Sequence, residues 1–599
     1  MTTTPHPRGN ILMVTLIMIV MISAFVLAAM NVTGHAARMT DRSRDYAAAQ
    51  SAAEGAVEYG FGIWKTRIAA RNRAITTAEA GTALGAPALP GFIYATALED
   101  GPLKIDGLDE YGAPVANPVA VTVSLASYPG WAGRSYTYRA RAKVQMATGG
   151  YDFRVGVQRQ FQYSEVPLFQ AMFFFEDNLE FYRPAEIIVG GLVHTNATAY
   201  LSGSDVGSLT FQDQVSYVTA YTATADPPFS DQWSGWVANS ELPPIYTQGE
   251  TSQLHQVPRM EPLGNEPSAA INTTDANPNN DGMHEMIEPP NTGYADPPEF
   301  AKRRMFNKAG IRININSGTV TVTGQNGVTL TGAQQTQLAA ALTAKTTIYD
   351  QREGKNVDVT SLDVGQFGSA LSAAGVSNFN NVLYINDTTP VGGATPNPSA
   401  VRLINGGVLP TGGLTVASEN AVYIQGDYNT GTVGTNSAAV PANGLGNPDN
   451  TASPVVPGYT SQPSAVIGDA VMLLSNNWQD ANSSIDLTAR TATSTTFNTA
   501  IVSGFMPSGY QPTSGSQYGY SGGAINFPRF LENWGGQYCT YYGSMVELFQ
   551  SKTFTGRWDT GVIYRPPLRR WNFDNSFRQN PPPGSLDATS WSRGTWAKY

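Results

Sequence analysis

Charged residues are scarce in this chain, since Asp, Glu, Lys and Arg together make up 14% of its 599 residues. The net charge is −10 and no basic stripe runs along the sequence, so we expect no nucleic-acid partner. The one cysteine, Cys539, excludes an internal disulfide and a cysteine-based metal site. Its neighbours in 537–542 alternate like a strand, which predicts a small buried residue at this position.

Turn-forming residues are abundant instead. Glycine numbers 60 and proline 39, and Asn, Thr and Ser are frequent. This composition is typical of a β-rich extracellular protein with many turns, and it differs from that of a charged disordered tail. We therefore predict that most of the chain is β-structure.

No charged residue lies between Arg8 and Arg38, and residues 11–30 are almost entirely apolar. A helix of this length spans the hydrocarbon core of a bilayer, which is about 30 Å thick. A cleaved secretory signal has a shorter apolar core followed by a small-residue cleavage site. The run here is too long for that, and Ala28-Ala29 is a weak cleavage site, so we predict a transmembrane helix.

The residues after the apolar run continue the helical pattern. No proline occurs in 31–79, and Ala49, Ala52, Ala53 and Ala56 recur near helical spacing. We predict one helix from about residue 11 to about residue 74, apolar in its first half and amphipathic in its second. The small residues give the second half a smooth face for close packing.

This amino-terminal region resembles type IV pilins and pseudopilins, in particular the PilX-type minor pilins. The matching features are Arg8-Gly9, the apolar run, and the segment Ala-Ala-Gln-Ser-Ala-Ala-Glu-Gly that ends at Gly55. The resemblance implies that a prepilin peptidase cuts after Gly9 and leaves Asn10 as the first mature residue. It covers about the first 60 residues, and a plain signal anchor is the competing interpretation.

The resemblance also implies partners and a location. A subunit of this kind is inserted in the bacterial inner membrane by its single helix, joins other pilin subunits through that helix, and reaches the periplasm or the cell surface. Most major pilins have Glu at the fifth mature position, where this chain has Val14. Subunits without that Glu are typical of the tip-forming and PilX-like minor members.

The patterns divide the chain into five parts. We predict a leader over 1–9, a pilin-like helix over 10–79 with its membrane span at 11–30, and a small antiparallel sheet over 80–166. The sheet rests on alternating runs at 119–125, 135–146 and 151–163. A β-rich body follows over 167–579, with long loops at 227–298 and 429–463 and a short helix in 331–345. The polar tail 580–599 is expected to lie on the surface.

Short apolar runs separated by Gly, Asn and Asp recur through the body. Such runs favour an irregular right-handed parallel β-helix, in which successive coils stack strand on strand. Stacked β-sandwiches are the alternative, although they are expected to show cleaner alternation and hairpin turns.

Several segments of the body resemble PilX-type proteins with solenoid-like bodies, including the HpsA-type hormogonium polysaccharide proteins. This resemblance implies a surface role linked to a pilus and no defined reaction. The segments that carry it are residues 190–196, 413–416, 423–429, 465–470, 529–534 and 569–574.

Three acidic residues, Glu176, Asp177 and Glu180, form the strongest carboxylate cluster. A glycosidase needs two carboxyl groups that face the same substrate, whereas adjacent residues of a strand point to opposite faces. We therefore interpret the cluster as a turn with solvated carboxylates. Asp469, Asp480 and Asp486 could hold Ca²⁺ through oxygen ligands, but their spacing favours Asx turns.

The five histidines form no close pair and no HExxH motif, so a zinc site is not expected. His194 is interpreted as a hydrogen-bonded structural residue. Aromatic residues are frequent between 534 and 571, where they are expected to fill a core end and not to stack on sugars.

These observations lead to a structural hypothesis: the chain is a non-enzymatic minor pilin or pseudopilin-like subunit at or near a filament tip, acting in adhesion or in surface polysaccharide export. It has no catalytic residue, cofactor or metal, and a surface glycan is a candidate ligand. One alternative is a membrane-tethered, polysaccharide-modifying β-helix enzyme. The other is a membrane-anchored surface adhesin.

Overall fold

The computed structural model describes residues 10–599 except 72, 82–83, 86, 88, 95–102, 148–153, 183, 185, 204–207, 223–241, 265–266, 390–396, 432–453, 509–520, 557 and 559–560. The chain divides into two units. Unit 1 comprises Met1–Ala120, Tyr136–Tyr163 and Trp591–Tyr599, and unit 2 comprises Val121–Ser135 and Ser164–Ser590. The predicted fold class, mainly β with one long N-terminal helix, is confirmed.

Helix α1 runs without interruption over Ile11–Arg71. It ends slightly before the predicted residue 74, because a new helix, α2 (Thr77–Gly81), begins shortly afterwards. The backbone N–H of Thr76 donates to Oε2 of Glu79 (2.9 Å), and the N–H of Glu79 donates to Oγ1 of Thr76 (3.1 Å). This reciprocal capping box fixes the start of α2 and separates it from α1.

Among the described residues, a seven-stranded sheet follows the helices. Its long strand Ala132–Met146 pairs antiparallel with three others, Phe92–Tyr94, Lys104–Leu108 and Val121–Ser124. The remaining strands are Pro114–Val115, Arg154–Pro167 and Asp587–Lys598. Most of the tail 580–599 is thus a strand of the sheet, which was not predicted, and its Trp591 packs 5.4 Å from the ring of Trp64. Residues 593–599 are exposed, as expected of a surface tail.

The core of unit 1 lies between the second half of α1 and this sheet. Trp64 is fully buried and meets the ring of Tyr138 edge-on at 5.0 Å. The hydroxyl of Tyr138 donates to the carbonyl of Ile75 (2.8 Å), and the N–H of Ile75 donates to that hydroxyl (2.9 Å). The chain that leaves α1 is thereby fixed to the middle of the sheet.

Unit 2 is built from parallel ladders of short strands. Its main sheet has eleven strands among the described residues, and every pairing is parallel except that of the hairpin at one end. In spatial order the strands are Leu254–Gln256, Val215–Tyr217, Leu192–Thr195, Ala171–Phe175, Met545–Gln550, Ala500–Phe505, Ser464–Gly468, Leu414–Ala417, Val382–Asp387, Ile311–Asn316 and Thr319–Gly324. Parallel stacking of successive coils favours the β-helix interpretation over stacked sandwiches.

Shorter ladders form the other sides of the coils. One contains Leu179–Phe181, Thr198–Leu201 and Ala220–Thr222, and another contains Ile187–Val189, Leu209–Phe211 and Ile245–Tyr246. The second half of the unit contributes Thr346–Asp350, Lys355–Asp363, Ser399–Ile404, Ala421–Gln425 and Val471–Leu474, and then Thr495–Asn498, Tyr538–Gly543 and Leu568–Phe573. The α-helices of this unit are Glu250–Gln253, Pro267–Ala270, Pro298–Ala301, Met305–Lys308, Gly332–Ala339 and Val364–Ala373. Its 3-10 turns are Leu168–Gln170, Pro278–Asn280, Met283–Met286, Asp480–Asn482, Leu487–Ala489, Ala524–Asn526 and Asn575–Arg578.

The coils of unit 2 are not stacked in sequence order. The first strand, Ala171–Phe175, pairs with the sequence-distant Met545–Gln550, so the N-terminal coils continue the stack made by the C-terminal ones. After Leu254–Gln256 the chain must return to the opposite end, nine strand spacings or roughly 43 Å away. Residues 257–310, called the return segment here, connect the two ends of the sheet.

The return segment corrects the prediction of a long loop over 227–298. Leu254–Gln256 is a strand of the main sheet, and the return segment itself is packed, with its largest buried side chains fully enclosed. Those side chains are Met260, Leu263, Met286, Ile287, Phe300 and Met305. The part of the predicted loop at 223–241 lies outside the described residues.

Candidate functional sites: the N-terminal helix and an acidic cleft

The predicted processing site lies at the start of α1. Gly9 is outside the described residues, while Asn10 is exposed and immediately precedes the helix. The carbonyl of Asn10 accepts the N–H of Val14 (3.0 Å), which is the first intrahelical bond. Val14 itself is 54% exposed.

The first half of α1 is both apolar and unburied. Its most apolar 18-residue window has a mean hydropathy of 2.9, and none of that window is buried. Every residue over 10–44 is exposed. By length and composition the helix can cross a membrane, and apolar side chains on all its faces require lipid or other helices around them.

The second half of α1 carries the predicted small-residue face. Ala49, Ala52 and Ala53 are buried against Val144, Val155 and Val157 of the sheet. Two turns further on, a Cβ on Gly60 would lie 2.9 Å from Cδ2 of Leu103. Small residues therefore let the helix axis approach the sheet closely along this face.

In unit 2, a cleft of about 570 Å³ lies between the return segment and the turns of two neighbouring coils. It contains two of the three predicted acidic residues, Glu176 and Asp177, together with His284, Gln550 and Lys552. Glu180 does not line the cleft.

Each acidic residue of the predicted cluster has its own environment. Glu176 is paired with the guanidinium of Arg259 and accepts from Nδ2 of Asn196 (2.7 Å). Asp177 accepts from Nε2 of Gln550 (3.3 Å), and burial raises the pKa of its carboxyl group. These contacts hold the two side chains in separate networks.

Glu180 contradicts the interpretation as a solvated carboxylate. Its side chain is fully buried and accepts from the hydroxyl of Ser508, and burial raises its pKa to about 7. The strand Leu179–Phe181 is buried at every position, which the three-residue sequence alone does not reveal. The structure therefore does not present the three predicted carboxylates as one acid–base group.

A fourth carboxylate, missed in the sequence, lies beneath the cleft. Oε2 of Glu547 accepts the backbone N–H groups of Glu176 (2.9 Å) and Asp177 (3.0 Å) and so fixes their turn. Glu547 is fully buried, and burial together with the charge of Asp177 raises its pKa well above the usual range. Glu547 lies on the strand Met545–Gln550, whose mostly apolar sequence gives no sign of this role.

The return segment is attached to the coils beside this cleft by His284. Its Nε2 lies 2.9 Å from Oδ1 of Asp469, and its Nδ1 contacts the carboxylate of Glu288. Burial lowers the pKa of His284, but its hydrogen bonds to these two carboxylates and their negative charge outweigh burial, so the pKa is raised overall. Asp469 also accepts the backbone N–H of Phe554 (2.9 Å), so its carboxylate joins the return segment to a neighbouring coil.

The buried side chain of Arg304 binds the same part of the return segment. Its guanidinium is fully buried and donates to Glu285 (3.0 Å), Asp296 (3.0 Å) and the carbonyl of Glu288 (2.8 Å). Burial and the charge of Glu288 raise the pKa of Glu285 to about 7. A possible signal in the sequence was the spacing of His284 and Glu288, which are four residues apart.

The remaining sequence candidates are structural. His194 is buried between Ser216 (2.9 Å from Nδ1) and Asn196 (3.0 Å from Nε2), and burial lowers its pKa to about 4. The prediction of a hydrogen-bonded structural histidine is confirmed. Cys539 is buried as predicted, and Asp480 pairs with Arg402 (2.5 Å). Five of the clustered aromatic residues are buried, namely Trp534, Tyr541, Tyr542, Tyr564 and Trp571.

No family model matches this sequence, and no curated protein matches it either. Among solved structures, the chain is similar to the competence-associated pilin ComZ from Thermus thermophilus. The two are 9% identical, and the match covers 91% of this chain and 98% of that chain with a TM-score of 0.23. A TM-score of this size does not establish a shared fold.

Proposed function

We propose that the chain is a non-enzymatic structural subunit of a type IV pilus or a related secretion filament, of the PilX-type minor pilin or pseudopilin kind. The observation that carries the proposal is the division of α1. Its first half is apolar and exposed, as insertion in a membrane and then in a helical bundle requires, while its second half is packed on a sheet. The motif Arg8-Gly9 directly before the apolar run supports processing by a prepilin peptidase.

The same proposal places the subunit at or near a filament tip. A Glu at the fifth mature position would be buried in a helical bundle, where an unpaired carboxylate costs several kcal/mol and therefore needs a partner. Val14 needs no partner, so such a subunit can begin a filament. More than 500 residues follow α1, and a body of that size repeated along a shaft would crowd its neighbours.

The proposed role of the body is adhesion or surface polysaccharide export, in line with the HpsA-type resemblance. The chain enters the inner membrane by α1 and is carried to the cell surface when the filament is assembled. The proposal includes no catalytic step. In support, Glu176, Asp177 and Glu180 each bind a different side chain, Arg259, Gln550 and Ser508 respectively.

Sheared filaments provide the test. We expect the protein to be present in far fewer copies than the major subunit, and labelled antibody to mark filament ends. Uniform labelling along the filaments would refute the tip position. Absence from filaments, with the protein retained in the inner membrane of cells that assemble pili, would refute the structural role itself.

A further inference from the structure

The main sheet of unit 2 ends in a strand with an open edge. Thr319–Gly324 is the outermost strand, and it pairs with Ile311–Asn316 in an unbroken antiparallel register. Among the described residues no strand pairs with its other side. The helix Gly332–Ala339 packs against this outermost strand and Val322 is buried, while Thr319, Val320 and Thr321 remain exposed.

Protein sheets normally protect such edges with charged side chains, proline, bulges or very short strands. The six residues Thr-Val-Thr-Val-Thr-Gly contain no charge and no proline, and their register has no irregularity. The opposite edge of the same sheet, Leu254–Gln256, has only three residues. The exposed part of the open edge, Thr319–Thr321, therefore lacks the charge, proline, bulge or short length that protects other edges.

The hairpin turn determines which peptide groups face outward. Ser317 (φ 48°) and Gly318 (φ 82°) both have positive φ, as a two-residue type I′ turn requires. In such a hairpin Asn316 and Thr319 form a hydrogen-bonded pair, and hydrogen-bonded pairs alternate with non-bonded ones. The N–H and C=O groups of Val320 and Val322 consequently point away from the neighbouring strand, toward the open side.

The sequence of this edge is self-complementary. Residues 319–323 read Thr-Val-Thr-Val-Thr in both directions. When two copies pair antiparallel about a twofold axis at Thr321, Val320 of each copy faces Val322 of the other, and threonine faces threonine. The outward peptide groups of these valines then form the hydrogen-bonded pairs, while the facing threonines add a favourable cross-strand contact.

We propose that the edge strand Thr319–Gly324 binds the same strand of a second copy of this chain, in antiparallel register about Thr321, and so joins two main sheets into one. The side chains of Val320 and Val322 lie on the same side as buried Ile313 and Ile315, while Thr319 and Thr321 lie on the outer side. The pairing therefore continues both faces of the sheet. It does not depend on the function proposed above.

Cysteine cross-linking of the full-length protein in detergent tests this register. Two Thr321 residues at the axis form a non-hydrogen-bonded pair with Cα atoms about 4.5 Å apart, a distance that a disulfide accepts. We expect Thr321→Cys to give a disulfide-linked dimer on mild oxidation. Thr319→Cys and Thr323→Cys are expected to link when the two variants are mixed, and neither is expected to link alone.

Asn314→Cys is the matched control, because Asn314 is equally exposed and lies directly opposite Thr321 on the inner strand. We expect it to remain monomeric under the same oxidation, as does the wild type with its buried Cys539. Thr321→Lys places two like charges at the axis and is expected to abolish association through this edge.

Two results would overturn the proposal. One is failure of Thr321→Cys to link at concentrations where the wild type is dimeric by light scattering, since the dimer would then use another surface. The other is linking of Asn314→Cys as fast as Thr321→Cys, since the association would then be unspecific.

Discussion

The two units of this protein fix a long segment of chain in opposite ways. Unit 1 holds the second half of α1 by apolar packing, with Ala49, Ala53 and Trp64 fully buried. Unit 2 holds its return segment by buried ionisable groups, with Arg304 and His284 at the centre. The first attachment depends on shape, whereas the second depends on charge.

The difference has consequences for what each attachment tolerates. A close apolar contact is lost when a side chain is enlarged or charged, but it does not change with pH. A buried ion pair is strongly weakened when one partner is removed, and it responds to the protonation of its members. Four predictions separate the two kinds of attachment.

The largest effect is expected for Arg304→Met. This substitution removes the buried guanidinium that contacts the carboxylate of Glu285, and breaking such a pair costs about 3–5 kcal/mol. Urea unfolding followed by tryptophan fluorescence should show unit 2 destabilised by this amount. Arg44→Met, at an exposed pair with Asp41, serves as the control and should change stability by less than about 1 kcal/mol.

Ala53→Arg is expected to have the next largest effect, by forcing an unpaired charge into the core of unit 1. The cost is several kcal/mol, so the sheet should fold poorly or the helix should detach from it. Membrane insertion should persist, because the apolar first half of α1 is unchanged. Ser51→Arg places the same charge on an exposed position of the same helix. Equal protease resistance of the two variants would contradict the packing role.

Gly60→Val should be milder. The added atoms meet Leu103, and overpacking of this kind costs about 1–3 kcal/mol. Gly62→Val adds the same side chain to the same helix where nothing lies within 4 Å of the Cβ position. The difference in free energy of unfolding between the two variants measures the close approach, and a difference near zero would show that Leu103 moves aside freely.

The smallest effect is expected from pH. The pKa of His284 is raised in the folded protein, so its contribution is fully present below about pH 6.5 and is lost as the pH rises through the folded value. The raised pKa of Glu285, about 7, acts in the same direction. The pKa of Glu288 is lowered to about 2, so its contribution is lost only in acid, as the pH falls from about 4.5.

Hydrogen exchange of residues 282–288 should therefore be faster at pH 8 than at pH 5.5, after correction for the intrinsic rate. The second half of α1 should show no such change. His284→Gln should remove most of the pH dependence of the return segment, and unchanged dependence in that variant would assign it to other groups.

Most secondary structure of unit 1 could be predicted from the sequence, because the patterns that specify it are local. The apolar run and the alanine spacing predicted α1, and alternation between 135 and 146 predicted most of the strand Ala132–Met146. The end of α1 was less well placed, since the capping box of Thr76 and Glu79 was not recognised. The tail was missed as well, because the partners of Asp587–Lys598 are more than 400 residues away.

For unit 2 the sequence predicted the type of fold but not which strands pair. Short strands between turn residues indicated stacked coils, and the strands Leu192–Thr195 and Ser464–Gly468 lie within such runs. These strands are buried at every position, so their sequences carry no alternation that would specify a neighbour. The pairing of Phe173 with Met545 joins the two ends of the unit, and no local signal predicts it.

The candidate cleft was predicted least well. Glu176 and Asp177 were recognised as a turn, but their partners Arg259 and Gln550 come from other coils and from the return segment. Burial of Glu180 and Glu547 depends on the coils stacked above and below them, which the sequence of one strand does not reveal.

Mass spectrometry of the mature amino terminus tests the pilin-type account most directly. The motif Arg8-Gly9 and the unburied apolar half of α1 predict a mature chain that starts at Asn10, and Gly9→Val should leave the leader in place. A terminus at Asn10 in the wild type that disappears in Gly9→Val is the expected result. An intact Met1, or a terminus near Ala29, would contradict entry into a filament by this route.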